Sequence, residues 1–115
     1  MLNNNQKKQF KEDGYLLLSE YFKQDDMNIL KSSANRIVDE FDPESSRSVF
    51  STRSADTGQD QYFLSSGDKV RCFFEEGAFS SDGQLQQAKH LSINKIGHAL
   101  HSQVSEFVQF SQSPK

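Results

Sequence analysis

A short run, Val70-Arg71-Cys72-Phe73-Phe74, constrains the fold more than any other part of this chain. Read as a strand from Lys69 to Glu75, it places Val70, Cys72 and Phe74 on one side and Arg71, Phe73 and Glu75 on the other. Phe73 makes the second side apolar as well. A strand that is apolar on both faces belongs inside a larger sheet with cover on each side. The chain supplies little such cover, because only 34% of its 115 residues are hydrophobic. Typical soluble domains reach roughly 45–50% with glycine included. One domain at most is expected, spanning 1–115 as a partial domain with a modest core and marginal stability alone.

The other elements are expected around that strand. A helix from Asn3 to Asp13 carries Phe10 as its apolar anchor and ends at Gly14. Tyr15 to Leu18 is apolar throughout and too short for a helix, so it reads as a strand buried on both faces. Met27, Leu30, Ala34, Ile37, Val38 and Phe41 recur at helical spacing and predict a helix over Asp25–Phe41, stopped by Pro43. Residues 42–61 are rich in polar and turn residues and read as a mobile loop, with a short strand at Ser48–Thr52. Turns are expected at Ser65–Asp68 and at Ser80–Gly83. Ile93, Ile96, Leu100, Val104 and Phe107 are spaced by three or four, which predicts a last helix over Ser92–Phe110 with Gly97 inside it. The fold class is α+β. Phe73, Phe74 and the Ile93–Phe107 stripe are expected to be incompletely covered and open to self-association.

Charge and cysteine content narrow the function. With 13 Lys+Arg against 16 Asp+Glu the net charge is −3, which does not suit a nucleic-acid backbone. A single cysteine, Cys72, excludes an internal disulfide framework and suits a reducing compartment. No apolar run approaches the ~20 residues of a membrane span. The first residues show no secretory signal and the last are not a peroxisomal address, so a cytoplasmic location is expected.

Few side chains read as chemical groups. His98 and His101 lie three apart and would share a helix face, where two imidazoles begin a metal site that needs a third ligand. No finger or zincin spacing accompanies them, and packed polar helix residues are the plainer reading. Cys72 sits in an apolar strand that raises a thiol pKa, so it reads as core filler rather than a nucleophile. The carboxylate pairs Glu12–Asp13, Asp25–Asp26 and Glu75–Glu76 are adjacent in sequence and do not face each other. Lys95 lies near the apolar stripe, and from the residues alone it reads as a solvated lysine snorkelling past it.

Two longer motifs change that reading. S-I-N-K-I-G-H-A-L-H from Ser92 to His101, and Y-F-L-S-S-G-D-K-V-R-C-F-F-E from Tyr62 to Glu75, closely resemble the phytanoyl-CoA dioxygenase family. F-K-E-D-G-Y-L-L-L from Phe10 and V-F-S-T from Val49 extend the resemblance over almost the whole chain. The nearest type is the cytosolic domain-containing one, not the peroxisomal hydroxylase. The resemblance implies the N-terminal helices and outer strands of a double-stranded β-helix, a jelly-roll oxygenase barrel left incomplete here. It also implies Fe(II) and 2-oxoglutarate as cofactors of the complete protein, and C–H hydroxylation of an unknown small molecule. Within the family the lysine of the S-I-N-K motif is associated with 2-oxoglutarate, which makes Lys95 the one cofactor-binding residue carried over.

The family binds iron through His-x-Asp and a distant second His. Here His90, His98 and His101 are followed by Leu91-Ser92, Ala99-Leu100 and Ser102-Gln103, so no His-x-Asp occurs. No catalytic or metal residue is carried over, and neither cofactor is expected to bind tightly to this chain alone. The chain is therefore expected to be an N-terminal fragment, a truncated gene model or a shortened isoform, inactive by itself. Two alternatives stand beside the oxygenase reading. One is a non-catalytic protein-binding module, and the other is a small metal-binding helical module built on His98 and His101.

Overall fold

Asn3 starts the first helix by the physics of capping. Its side chain accepts from Gln6 N at 2.9 Å, and the Gln6 side chain accepts from Asn3 N at 2.9 Å. This reciprocal box satisfies two of the free amides of a helix start. Helix α1 runs over Asn4–Asp13 and closes on Gly14, whose φ of 78° suits a residue without a Cβ. The computed structural model describes residues 2–51 and 60–113. Residues 52–59, part of the expected mobile loop, lie outside the described residues.

Phe10 does not anchor α1. It is 53% exposed, and α1 buries no residue at all. The expected strand at Tyr15–Leu18 is also overturned. Tyr15 and Leu17 are exposed, Leu16 and Leu18 are half-buried, and the segment pairs with neither strand of the described sheet. Its apolar composition supplied the strand signal, but a strand is stable only with a neighbour to take its amides and carbonyls.

Helix α2 spans Gln24–Glu40, close to the expected range. Asp25 and Asp26 favour its N-terminal dipole. Its last turn carries no basic residue, yet its C-terminal carbonyls are met by a cation from elsewhere. Lys89 Nζ donates to the carbonyls of Asp39 at 2.7 Å and Phe41 at 2.8 Å. Lys89 opens α4, a single turn over Lys89–Ser92, so this bond ties α4 to the end of α2.

A four-residue helix, α3, follows over Gln61–Leu64, with the Asp60 side chain accepting from Tyr62 N at 2.8 Å. Strand β1, Val70–Phe74, pairs antiparallel with β2, Ile93–His98. The expected helix over Ser92–Phe110 is thus corrected. Its first third is β2, and the rest breaks into α5, Leu100–Gln103, and α6, Ser105–Gln112. The three-residue spacing of Ile93 and Ile96 has a strand explanation. Phe74 pairs with Ile93 and Phe73 with Lys95, so Asn94 is an extra residue in the ladder. One bulged residue converts a spacing of three into a shared strand face. Ile93 and Ile96 therefore both meet the Phe74 and Cys72 side of β1. Val104, extended at φ −112° and ψ 117°, separates α5 from α6.

Val49 makes a parallel bridge to Phe74, with Phe50 N donating to Phe74 O at 2.8 Å and Phe74 N to Ser48 O at 2.9 Å. The expected short strand is therefore present as a single bridge on the edge of β1. The sheet is sandwiched as its sequence requires. Phe73 and Phe74 are both 0% exposed, so neither forms the uncovered face anticipated from sequence. Phe74 packs against Phe41 at 5.7 Å and Phe79 at 4.7 Å between ring centroids. Cys72 is buried beside them, and that burial pushes its thiol pKa up, as expected for core filler. The exposed large apolar residues lie elsewhere, at Phe10, Tyr15, Leu17, Tyr21, Phe22 and Ile29 among others.

Helix α6 leans on α2 through an ion pair, Arg36 Nη2 to Glu106 Oε1 at 2.8 Å. The hydrogen bond from Arg36 holds the Glu106 carboxyl at about 2, well below its ordinary value. A carboxyl with a depressed folded pKa stabilises the fold above its unfolded value, near 4.3, and that contribution is lost as pH falls towards 2. We expect the melting midpoints of wild type and Glu106→Gln to differ at pH 6 and to converge towards pH 2. Since Arg36 is half exposed, the difference at pH 6 should be small. A gap that persists unchanged at pH 2 would show that the pair does not carry it.

Candidate functional site

The bulge at Asn94 decides which side of the sheet Lys95 occupies. Lys95 is paired with Phe73, on the face opposite Cys72 and Phe74. On that face an aromatic cluster forms. The Phe73 ring lies 5.3 Å from Tyr62 and 5.7 Å from Phe63, and Phe63 lies 5.9 Å from Phe50. Three chain segments therefore converge: the Val49 bridge brings Phe50, α3 brings Tyr62 and Phe63, and β1 brings Phe73.

Lys95 does not snorkel into solvent. It is half-buried, with its ammonium 4.4 Å from the Phe50 ring centre and 5.4 Å from that of Phe63. No carboxylate pairs with it among the described residues. Ring faces stabilise a cation by about 0.5–2 kcal/mol depending on desolvation. A charge-assisted hydrogen bond contributes about 1.5–3 kcal/mol. The ammonium is therefore held by groups weaker than an incoming carboxylate, and its donors are not used up by the rings.

Gly97 has a role in this placement. It sits in β2, not inside a helix, and shares the face of Lys95. A Cβ at Gly97 would lie 3.2 Å from Lys95 Cε. The lysine stem thus folds across the bare α-carbon. Gly97→Ala should displace Lys95 by a few tenths of an ångström with little change in melting temperature, because the lysine stem is flexible and the backbone there is not left-handed. The reduced ring-current shift of the Lys95 ε-protons would report it. An unchanged shift would mean that the stem does not depend on the glycine.

Arg71, the other cation on this face, is already engaged. Its guanidinium stacks 4.3 Å from the Tyr62 ring centre, donates to Tyr62 O, and donates to Ser65 Oγ at 2.9 Å. Asp60 caps α3 and also accepts from Ser48 Oγ, which links the Val49 segment to α3. No local pattern groups Ser48, Asp60, Tyr62 and Arg71, which lie up to 23 residues apart and come together only through the fold.

His98 and His101 do not share a helix face. His98 ends β2 and His101 lies exposed in α5. The His98 ring packs edge-on to Phe63 at 5.5 Å, lies 6.0 Å from Phe73, and has Nδ1 2.9 Å from Ser66 Oγ. Among the described residues no three His, Cys, Asp or Glu side chains are grouped to hold a metal ion. Among them, too, no helix is long and apolar enough to cross a membrane.

No family model matches the chain. Individual proteins do. It is 44% identical over 119 residues to phytanoyl-CoA dioxygenase domain-containing protein 1 of Rattus norvegicus, covering 99% of this chain and 41% of the relative. The homolog of that protein in Dictyostelium discoideum is 39% identical over 114 residues, covering 99% of this chain and 40% of the relative. A phytanoyl-CoA dioxygenase of Arabidopsis thaliana is 40% identical over 106 residues, 92% of this chain and 37% of the relative. The chain spans about 40% of the length of these curated relatives, a share that fits their N-terminal portion. Over nearly its whole length it is therefore similar to proteins named phytanoyl-CoA dioxygenase domain-containing proteins.

Proposed function

We propose that this chain is the N-terminal part of an iron(II)- and 2-oxoglutarate-dependent oxygenase acting on a small molecule, and that Lys95 binds one carboxylate of 2-oxoglutarate. The observation that carries the reading is the Lys95 ammonium, half-buried over Phe50 and Phe63 without a carboxylate partner among the described residues. A dicarboxylate suits such a site, since one end can take the ammonium while the other is held elsewhere. The names of the relatives, dioxygenases, agree with an oxidative reaction.

The residues present do not fit iron. The chain has no His-x-Asp, and the Nδ1 atom of His98 is taken by Ser66. The chain's own part in the reaction is binding and shielding: Lys95 supplies positive charge, and Phe50, Phe63 and Phe73 exclude water around it. Lower local polarity strengthens the ammonium–carboxylate attraction.

The isolated chain should accordingly show no iron- and substrate-dependent succinate formation. Turnover by the purified 115-residue chain above a metal-free control would overturn this reading. The complementary test is the 2-oxoglutarate dependence of a protein that joins this region to an iron-binding barrel, compared between wild type and Lys95→Ala.

A further inference from the structure

Phe63 is the hub of the aromatic cluster. It touches Phe50, Phe73, the His98 ring and the Lys95 ammonium. Yet it stands on α3, a helix of four residues. A helix that short has no stability of its own. Something outside α3 must hold the ring in place.

Ser66 is that link. It is 0% exposed, so its hydroxyl must find partners inside the protein. Its Oγ lies at hydrogen-bond distance from two atoms, the Phe63 carbonyl oxygen and His98 Nδ1. A hydroxyl has only one hydrogen. The carbonyl oxygen can only accept, so without a hydrogen between them the two oxygens would repel. The Ser66 hydrogen therefore goes to Phe63 O. Ser66 Oγ must then accept from His98, which places a hydrogen on Nδ1. In the neutral ring Nε2 is left as the lone-pair nitrogen.

We propose that His98 and Ser66 are positioning residues for Lys95. His98 donates from Nδ1 to Ser66, Ser66 donates to the Phe63 carbonyl, and Phe63 so held is one of the two rings beside the Lys95 ammonium, Phe50 being the nearer. The functional meaning of this relay rests on the reading of Lys95 as a carboxylate-binding group. The relay ties the end of β2 back to the end of α3, and both ends of it touch the surroundings of one lysine.

Nuclear magnetic resonance on the labelled 115-residue chain tests the relay without any 2-oxoglutarate. Long-range proton–nitrogen spectra of neutral His98 should show the Nδ1–H tautomer. The Nε2–H tautomer would overturn the proposal, and this measurement needs no variant to fold. The Lys95 ε-protons, shifted by the Phe50 and Phe63 rings, supply the second readout. Ser66→Ala should lower that ring-current shift by the share due to Phe63, the farther of the two rings. His98→Asn, whose side-chain amide nitrogen falls near the Nδ1 position, should retain more of it than His98→Gln. A purely space-filling role predicts the reverse order, since Gln is the larger side chain. A shift that Ser66→Ala leaves unchanged, or that follows side-chain size, would overturn the relay. Because no dicarboxylate enters these measurements, their failure leaves the carboxylate reading of Lys95 standing.

Discussion

Lys95→Ala, in a protein that carries this region together with an iron-binding barrel, is expected to raise the apparent KM for 2-oxoglutarate about tenfold to hundredfold. The range is the loss of one charge-assisted hydrogen bond, about 1.5–3 kcal/mol, in a site with reduced solvent screening. The turnover number at saturating 2-oxoglutarate should change less, because the lost contact is made in the ground state and the transition state alike. Lys95→Arg should rescue only in part. A guanidinium keeps the charge, but its planar fork presents its donors to a carboxylate in a different geometry. If Lys95→Ala leaves 2-oxoglutarate dependence unchanged and lowers only the melting temperature, the lysine is a packing residue.

The largest effect on stability is expected at Phe73. Its ring is 0% exposed and meets Tyr62, Phe63 and His98. Truncating a buried phenylalanine costs about 3–5 kcal/mol. Small domains have only about 5–15 kcal/mol in total, and this one buries few apolar residues. Phe73→Ala should therefore leave no cooperative urea transition and should erase the Lys95 ring-current shift as well. Phe10→Ala is the control, since Phe10 is 53% exposed on a helix with no buried residue. It should change stability by less than about 0.5 kcal/mol. A Phe73→Ala chain that unfolds sharply and within about 1 kcal/mol of wild type would show that the core lies elsewhere.

The errors of the sequence reading have one cause. Local pattern reports what a segment offers, and pairing depends on what stands opposite. Tyr15–Leu18 offers an apolar run, but it pairs with neither strand of the described sheet, so it forms no strand and stays partly exposed. Ile93 and Ile96 offer helical spacing, but a partner strand and one bulged residue satisfy the same spacing in a ladder. β-Branched isoleucines also favour the strand over the helix, while the glycine at 97 favours neither. Phe10 offers an anchor and stays 53% exposed. The Lys89 cation that closes α2 comes from about fifty residues away, a distance no local rule spans.

The sequence by itself determined α1 and α2, because capping residues and a 3.6-residue stripe act within one segment. It also determined β1 with its two apolar faces and the burial of Cys72. Only the tertiary structure decided that Lys95 stands on a strand, and that Gly97 makes room for its stem. It alone placed Phe50 and Phe63 beneath the ammonium and His98 against Ser66. Each of these depends on the register between β1 and β2. In a strand a shift of one residue turns every side chain to the opposite face, and that register is set by the pairing of two segments, not by either one alone.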